Sequence, residues 1–180
     1  MSGLKIRKLF LYIATSLDGY IAAPGDNLDF LNIAEKEGED YGYNDFISGV
    51  DTVILGRRTY EWVIRQVEFP HADKETYVLT RTPRPPIDKI TFYSGNLKEL
   101  ITSLKKKEGK NIFCDGGAEV IHSLLQDDLV DEIILSVVPT LIGDGIRLFK
   151  DGRPELKLEL ISSKAYDTGL IQSHYRRLPV

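Results

Sequence analysis

The stretch DTVILGRRTY at residues 51–60 runs from an apolar segment through one glycine into two arginines and a threonine. A second stretch, NIFCDGGAE at residues 111–119, repeats this plan with two consecutive glycines. Each stretch predicts a buried strand that turns sharply into a helix. Glycine lets the backbone approach a ligand closely, and the amides at a helix start attract anions. Two such corners, one with paired arginines, indicate a site for a molecule that carries several phosphates.

The rest of the chain alternates between strand-like and helix-like segments. Helical spacing of apolar residues occurs near residues 60–67, 97–104 and 120–125, and more weakly at 41–48. Eight segments have the composition of strands, namely residues 9–14, 52–55, 77–80, 90–93, 111–114, 132–138, 156–162 and 170–177.

This order predicts an α/β fold in which parallel strands are covered by helices on both faces. The last two strands are joined only by a polar turn at residues 163–169, so we expect an antiparallel hairpin at the C-terminal edge. Ligands of such sheets bind beyond the carboxyl ends of the strands, and both glycine corners lie at such ends.

Length and composition exclude several classes of protein. The 180 residues predict one domain over residues 1–180, and a net charge of −4 gives no support to nucleic-acid binding. The one cysteine, Cys114, rules out an intrachain disulfide, and three scattered histidines do not predict a metal site. No apolar run is long enough for a signal core or a membrane helix, so we expect a cytoplasmic protein with no membrane partner.

The arginines are the first candidates for phosphate binding. The guanidinium groups of Arg57 and Arg58 can hold phosphate oxygens in a fork, and Thr59 can donate its hydroxyl or cap the helix. Arg81, after the next strand, would add positive charge near an adenosine 2′-phosphate, the group that separates NADP from NAD. The alternative is that these are ordinary surface arginines.

The double-glycine corner is a second candidate. The amides of Gly117, Ala118 and Glu119 would form an anion-binding nest at a helix start. Asp115 would repel a phosphate placed against it, so we expect it to order the turn. The alternative is a purely structural corner between a strand and a helix.

Three aspartates are candidates for the catalytic carboxylate. Asp18 follows the first strand, and Asp40 and Asp45 lie in or beside the weak helix before Gly56. Any of them could polarise or protonate a bound heterocycle. The alternative is a solvated carboxylate. A hydrolase that uses Asp18 and Asp40 is a further, weaker hypothesis, and the chain has no G-x-S-x-G motif.

Five landmarks in this order carry a resemblance to a known family. They are ATSLDGYIA at 14–22, DTVILGRRTYE at 51–61, DGG at 115–117, VDEI at 130–133 and PTLIGDG at 139–145. Together they resemble the dihydrofolate reductase superfamily. The pattern is most similar to stand-alone proteins related to the C-terminal reductase domain of the riboflavin-biosynthesis deaminase-reductase. The resemblance implies a dihydrofolate reductase-like three-layer fold with a mixed, mostly parallel eight-stranded sheet.

The resemblance also implies NADPH as the cofactor, bound along the carboxyl edge of the sheet. The nicotinamide would lie between Ala14 and Ile21, and the family acid maps best onto Asp40, with Asp45 as a rival. Tyr20 stands where the riboflavin enzyme usually has Lys or Arg. The cofactor-binding candidates are Ala14, Ile21, Gly56, Arg57, Arg58, Thr59, Leu79, Thr80, Arg81, Asp115, Gly116, Gly117, Ala118 and Glu119.

The function that follows is an NADPH-dependent reductase that passes a hydride to a small heterocycle. It resembles the 5-amino-6-(5-phosphoribosylamino)uracil reductase domains of riboflavin biosynthesis. The alternatives are a dihydrofolate or pteridine reductase-like enzyme and a catalytically silent NADP-binding protein. The expected partner is a small heterocyclic substrate, and the apolar strand at residues 132–138 is a candidate contact for a homodimer.

Overall fold

A computed structural model describes residues 6–179. Its main sheet has eight strands: β1 (Leu9–Ser16), β3 (Val50–Gly56), β4 (Glu75–Leu79), β5 (Ile90–Tyr93), β6 (Asn111–Gly116), β7 (Glu132–Val138), β9 (Leu158–Ala165) and β10 (Ile171–Arg177). A small second sheet pairs β2 (Tyr20–Ala22) with β8 (Ile146–Arg147), which the sequence did not predict.

The strand order of the main sheet is β5-β4-β3-β6-β1-β7-β10-β9. All neighbours from β5 to β7 are parallel, whereas β10 is antiparallel to both β7 and β9. The predicted α/β fold, with its mostly parallel eight-stranded sheet and C-terminal antiparallel hairpin, is therefore confirmed.

Four helices and one short turn of 3-10 helix connect the strands. They are the 3-10 helix Asp29–Ala34, α1 (Tyr43–Ser48), α2 (Arg57–Gln66), α3 (Leu97–Lys106) and α4 (Ala118–Gln126). The α3 helix begins after Asn96, whose side-chain oxygen accepts the amide proton of Glu99 at 3.0 Å. Within residues 6–179, no helix combines the length and the apolar composition that crossing a bilayer would require.

Alternation along the central strands creates the three layers. In β3, Ile54 faces one side and packs in a core with residues of α3 and α4, such as Ile101 and Ile121. Val53 and Leu55 face the other side and pack with Tyr60 of α2 and with α1. Burial on both faces explains why the central strands are nearly continuous apolar runs.

The C-terminal edge of the sheet is exposed to solvent. Leucines alternate along the predicted strand 156–162, and all eight residues of the observed strand β9 are exposed. The strand β9 is the last in the sheet and has one neighbour, β10. The strand β7 lies between β1 and β10, so hydrogen bonds occupy both of its edges and close them to a partner strand.

Candidate functional site

One large cavity lies where β1, β3, β4 and β6 end. Its volume is about 1560 Å³, and all fourteen residues that the sequence analysis assigned to the cofactor line it. The carboxyl ends of neighbouring parallel strands meet at one edge of a sheet, which brings these separate segments together. The roles of the individual residues remain predictions, whereas their convergence is a property of the fold.

The two glycine corners lie side by side in the lining of this cavity. Gly56 precedes α2 and Gly117 precedes α4, and no side chain caps either helix in the described part of the chain. A Cβ on Gly117 would lie 3.2 Å from the Thr59 hydroxyl oxygen, whereas one on Gly116 would meet nothing within 4 Å. Gly116 and Gly117 both have positive φ, at +107° and +87°. The corners therefore form a cradle of backbone amides that fits a phosphate.

The cations beside the cradle differ in how tightly they are held. Arg57 donates from Nη1 to both carboxylate oxygens of Glu61, at 2.8 and 3.0 Å. This contact, with a second one from Arg84, holds the pKa of Glu61 below its usual value. Arg58 is 78% exposed and contacts Asp26 at 3.3 Å. Exposed pairs are weak, so a phosphate could displace Asp26 from Arg58 more easily than Glu61 from Arg57.

The other end of the cavity is aromatic and apolar. Tyr12, Tyr43 and Leu31 line it next to Ala14, and the same four residues line a second cavity of about 560 Å³. The two cavities therefore adjoin at these side chains. Acidic residues are numerous around the second cavity, which Glu35, Glu37, Glu39 and Asp40 all line.

Asp115 lies near this aromatic end of the cavity. Burial raises the pKa of Tyr43 well above its ordinary value, and the nearby charge of Asp115 raises it further. The phenol is thus neutral at ordinary pH and faces a carboxylate. Asp115 lines the large cavity, and its Oδ2 lies 3.1 Å from Nε2 of the buried His71.

The structure places Asp18 between two loops, and its catalytic role stays a prediction. Its carboxylate accepts hydrogen bonds from the Ser16 hydroxyl at 2.6 Å and from the amides of Ile142 and Gly143 at 3.1 and 2.7 Å. These contacts, the Ser16 hydroxyl first, lower the pKa of Asp18 to about 2. The group is ionised at neutral pH and joins two loops, and it is absent from the described lining of both cavities.

Asp40 and Asp45 also lie outside the large cavity. Asp40 accepts the amides of Gly42 and Asn44 at 2.9 and 3.0 Å, which keeps its pKa low, and it lines the second cavity only. Asp45 is exposed on α1 and is not among the described lining residues of either cavity. The three aspartates therefore do not form one catalytic cluster, which leaves the hydrolase hypothesis without a geometric basis.

Sequence reasoning missed several residues of the site. Tyr12, Tyr43 and Trp62 line the large cavity, as do Arg147 and Lys150. The two tyrosines follow apolar patterns that equally describe core positions, so no local signal marked them. Within residues 6–179, no group of three or more His, Cys, Asp or Glu side chains is arranged to hold a metal ion.

Comparison with known proteins gives consistent matches over nearly the whole chain. The family described as RibD C-terminal domain matches residues 7–172. The uncharacterised protein YwjB of Bacillus subtilis is 43% identical over 173 residues, which cover 95% of this chain and 98% of YwjB.

Solved structures agree with this result. One is the crystal structure of a Shewanella sp. PV-4 protein that is provisionally named a riboflavin biosynthesis protein. It has a TM-score of 0.87 and 31% sequence identity, and the match covers 96% of this chain and 99% of the Shewanella chain. Dihydrofolate reductase from Enterococcus faecalis, solved with NADP(H), has a TM-score of 0.68 and 18% identity, covering 96% and 97%. The latter similarity concerns the fold alone.

Proposed function

The chain belongs to the RibD C-terminal domain family, and from that premise we propose that it is an NADPH-dependent reductase of a small, flat heterocycle. Membership of this family supports a reductase type of function. The observation that carries the finer proposal is the convergence of both glycine corners, with fourteen candidate residues, on one cavity.

Different residues of the chain would hold the phosphate groups and the nicotinamide of the cofactor. The amides of residues 117–119, with the Thr59 hydroxyl, would hold the diphosphate. Arg58, helped by Arg57 and Arg81, would hold the 2′-phosphate, and Ala14 and Ile21 would lie against the nicotinamide. When bound, NADPH supplies the hydride.

Reduction of a C=N or C=O bond also needs a proton on the heteroatom, and we assign its delivery to Asp115. Of the four aspartates that the sequence analysis considered, Asp115 alone lines the large cavity. It faces Tyr43 at the aromatic end, whereas Asp18 is ionised and held by hydrogen bonds to Ser16 and to the amides of Ile142 and Gly143. The carboxyl group would hold the ring and donate its proton, or that of a water bound to it.

The acidic second cavity favours one substrate class over another. Among the described residues that line it, four are acidic and one, Lys36, is basic, and Lys36 pairs with Asp167 at 2.8 Å. Two like charges 4 Å apart repel by about 1 kcal/mol even in water. A phosphoribosyl group extending into this cavity would therefore bind poorly. This observation favours an unphosphorylated heterocycle, such as a pteridine, over 5-amino-6-(5-phosphoribosylamino)uracil.

Two measurements test the proposal. Calorimetric titration should show saturable binding of NADPH, and stopped-flow mixing with a panel of pterins and pyrimidines should show oxidation of the bound cofactor. Binding without oxidation by any member of the panel would favour the catalytically silent NADP-binding protein. Absence of both heat and thermal protection would contradict the cofactor assignment itself.

The proposed homodimer would use the C-terminal edge of the sheet. The strand β9 is exposed along its whole length, and Leu160 and Ile161 are apolar residues on it. No residue of β9 is among the described lining residues of the large cavity, so such a dimer would leave the cavity accessible. Light scattering of the purified protein measures the oligomeric state directly.

A further inference from the structure

His71 is a buried histidine that the proposed mechanism does not yet use. It lies in the loop of residues 67–74 between α2 and β4, with its side chain 3% exposed. Its ring meets Phe69 and Phe113 edge to face, with centroids 5.5 and 5.8 Å away. His71 is not among the described residues that line either cavity.

The polar end of His71 contacts the cavity through one other side chain. Nε2 lies 3.1 Å from Asp115 Oδ2, and the Asp115 side chain is 27% exposed and lines the large cavity. When the carboxyl group is ionised it has only acceptors, and Nε2 of His71 is then the donor in this contact. The hydrogen bond holds one carboxylate oxygen and leaves the other available to the cavity.

We propose that His71 is a positioning residue for Asp115, which orients the carboxyl group in the cavity and controls when that group is protonated. The inference rests on the proposed function, in which Asp115 contacts the substrate. It adds a residue that contacts neither cavity and would act only through the hydrogen bond to Asp115.

Packing alone does not account for a histidine at this position. Phe69 already anchors the loop in the core between the sheet and α2. Within residues 6–179, the one side-chain hydrogen bond of His71 is the contact with Asp115. Burying a polar ring lowers the stability of the fold unless the ring forms a hydrogen bond, whereas burying an apolar ring carries no such cost.

The other titratable groups around the pair are neutral or paired. Tyr43 on α1 lies near Asp115, and Cys114 precedes Asp115 on β6; burial raises the pKa of Tyr43, and it raises that of the Cys114 thiol to about 12. Asp73 lies near His71 in the loop and pairs with Lys74 at 3.0 Å. Among the described side chains, His71 is the one that forms a hydrogen bond with the Asp115 carboxyl group.

The test reads the pair from both sides by NMR titration of the full-length protein. The chain has three histidines, so single substitutions assign their ring signals. Asp115→Asn removes a negative neighbour, so the ring signals of His71 should titrate at a lower pH than in the wild-type protein. His71→Phe keeps the ring packing but removes the donor, so the Asp115 carboxyl signal should titrate at a higher pH than in the wild-type protein.

His71→Gln and His122→Gln are the comparison variants. The Gln side chain retains an N–H donor, so His71→Gln should restore most of the wild-type pKa of Asp115. His122→Gln, on α4 and outside the described cavity lining, should change neither pKa. Each of the three histidine variants should bind NADPH with a dissociation constant within about twofold of the wild-type value, because His71 and His122 are not among the described residues that line the cavity.

The outcomes separate this inference from the proposed function. NADPH binding by the wild-type protein, together with an unchanged Asp115 pKa in His71→Phe, would overturn the inference alone. A variant that lowers the melting temperature and the NADPH affinity without moving either pKa would show a merely structural histidine. If the wild-type protein binds no NADPH, the proposed function fails and this inference fails with it.

Discussion

Thr59 and Gly117 pack against each other although they are 58 positions apart in the chain: a Cβ on Gly117 would lie only 3.2 Å from the Thr59 hydroxyl oxygen. The start of α2 is therefore in contact with the start of α4. Both helix starts face the same cavity.

This contact predicts that Gly117→Ala weakens NADPH binding by about tenfold or more, or about 1.4 kcal/mol. The φ of +87° disfavours any residue with a Cβ, and the new methyl would push Thr59 away from the cradle. Calorimetry measures the change. Gly38→Ala is the control, since φ is +78° there and its Cβ would meet nothing within 4 Å. An equal loss of NADPH affinity in both variants would contradict the prediction.

The paired arginines should distinguish NADPH from NADH. We expect Arg57→Ala with Arg58→Ala to weaken NADPH by roughly tenfold to a hundredfold, since hydrogen bonds to charged groups contribute about 1.5–3 kcal/mol. NADH, which lacks the 2′-phosphate, should lose much less. Of the single variants, Arg58→Ala should have the larger effect, because Nη1 of Arg57 is already held by Glu61. Titrations with both cofactors measure the ratio.

Arg65→Ala is the matched control for the arginine variants. Arg65 lies in the last turn of the same helix and is not among the described residues that line the cavity. Its loss should leave both affinities unchanged. Equal weakening of NADPH and NADH by the double variant would rule out the 2′-phosphate role.

The acidic second cavity predicts a preference between two related compounds. NADPH oxidation should be faster with an unphosphorylated ribosylaminouracil or a pterin than with the corresponding 5′-phosphate. Glu35→Gln with Glu37→Gln should reduce this preference by about twofold to tenfold, because each change removes roughly 1 kcal/mol or less of repulsion. Raising the salt concentration should also reduce the preference for the unphosphorylated compound, because salt screens the repulsion. Glu68→Gln, at an exposed position that is not among the described lining residues of either cavity, is the control.

Asp18 predicts a stability difference that depends on pH. Its folded-state pKa of about 2 is below the ordinary 3.8, so the carboxylate stabilises the folded protein fully above about pH 4. That contribution disappears as the pH falls through 2. The melting temperature of Asp18→Asn should thus be lower than wild type at pH 6, and the two should converge toward pH 2. A difference that is constant over this range would contradict the assignment of the low pKa.

Arg7 predicts a stability effect far from the cavity. Its side chain is 2% exposed, donates to the Thr52 hydroxyl and the Lys110 carbonyl at 2.6 Å each, and pairs with Asp51. Arg7→Ala should lower the free energy of unfolding by about 2–4 kcal/mol, because it leaves buried acceptors unpaired and opens a void. Urea denaturation measures this change. Arg153→Ala, at an exposed position, should have little effect, and NADPH affinity should persist in both folded variants.

The sequence predicted most of the sheet because short apolar runs directly indicate strands that are buried on both faces. All eight predicted strands correspond to strands of the main sheet. The exposure of β9 could not be predicted from its alternating Leu158 and Leu160, because whether a face is buried depends on what the rest of the chain places against it.

The candidate site divides in the same way. Corners made of glycine and helix starts are local features, so the amino-acid sequence could point to cofactor candidates there, and the fold brings these candidates to one cavity. Which carboxylate lines the cavity depends on the surroundings of each side chain in the folded protein. Asp18 accepts hydrogen bonds from the amides of Ile142 and Gly143, which are more than 120 positions away in the chain. No local sequence pattern could predict these partners.

The amino-acid sequence by itself determined the layered α/β sheet and the edge at which its glycine corners lie, because apolar period and glycine placement act over a few residues. Tertiary structure alone decided that Thr59 contacts Gly117. It also decided that Asp115 and not Asp18 lies near the aromatic end, and that His71 is within hydrogen-bonding distance of Asp115. The physical reason is distance along the chain. His71 and Asp115 are 44 positions apart, and only the packing of the loop 67–74 against β6 brings the ring and the carboxylate within hydrogen-bonding distance.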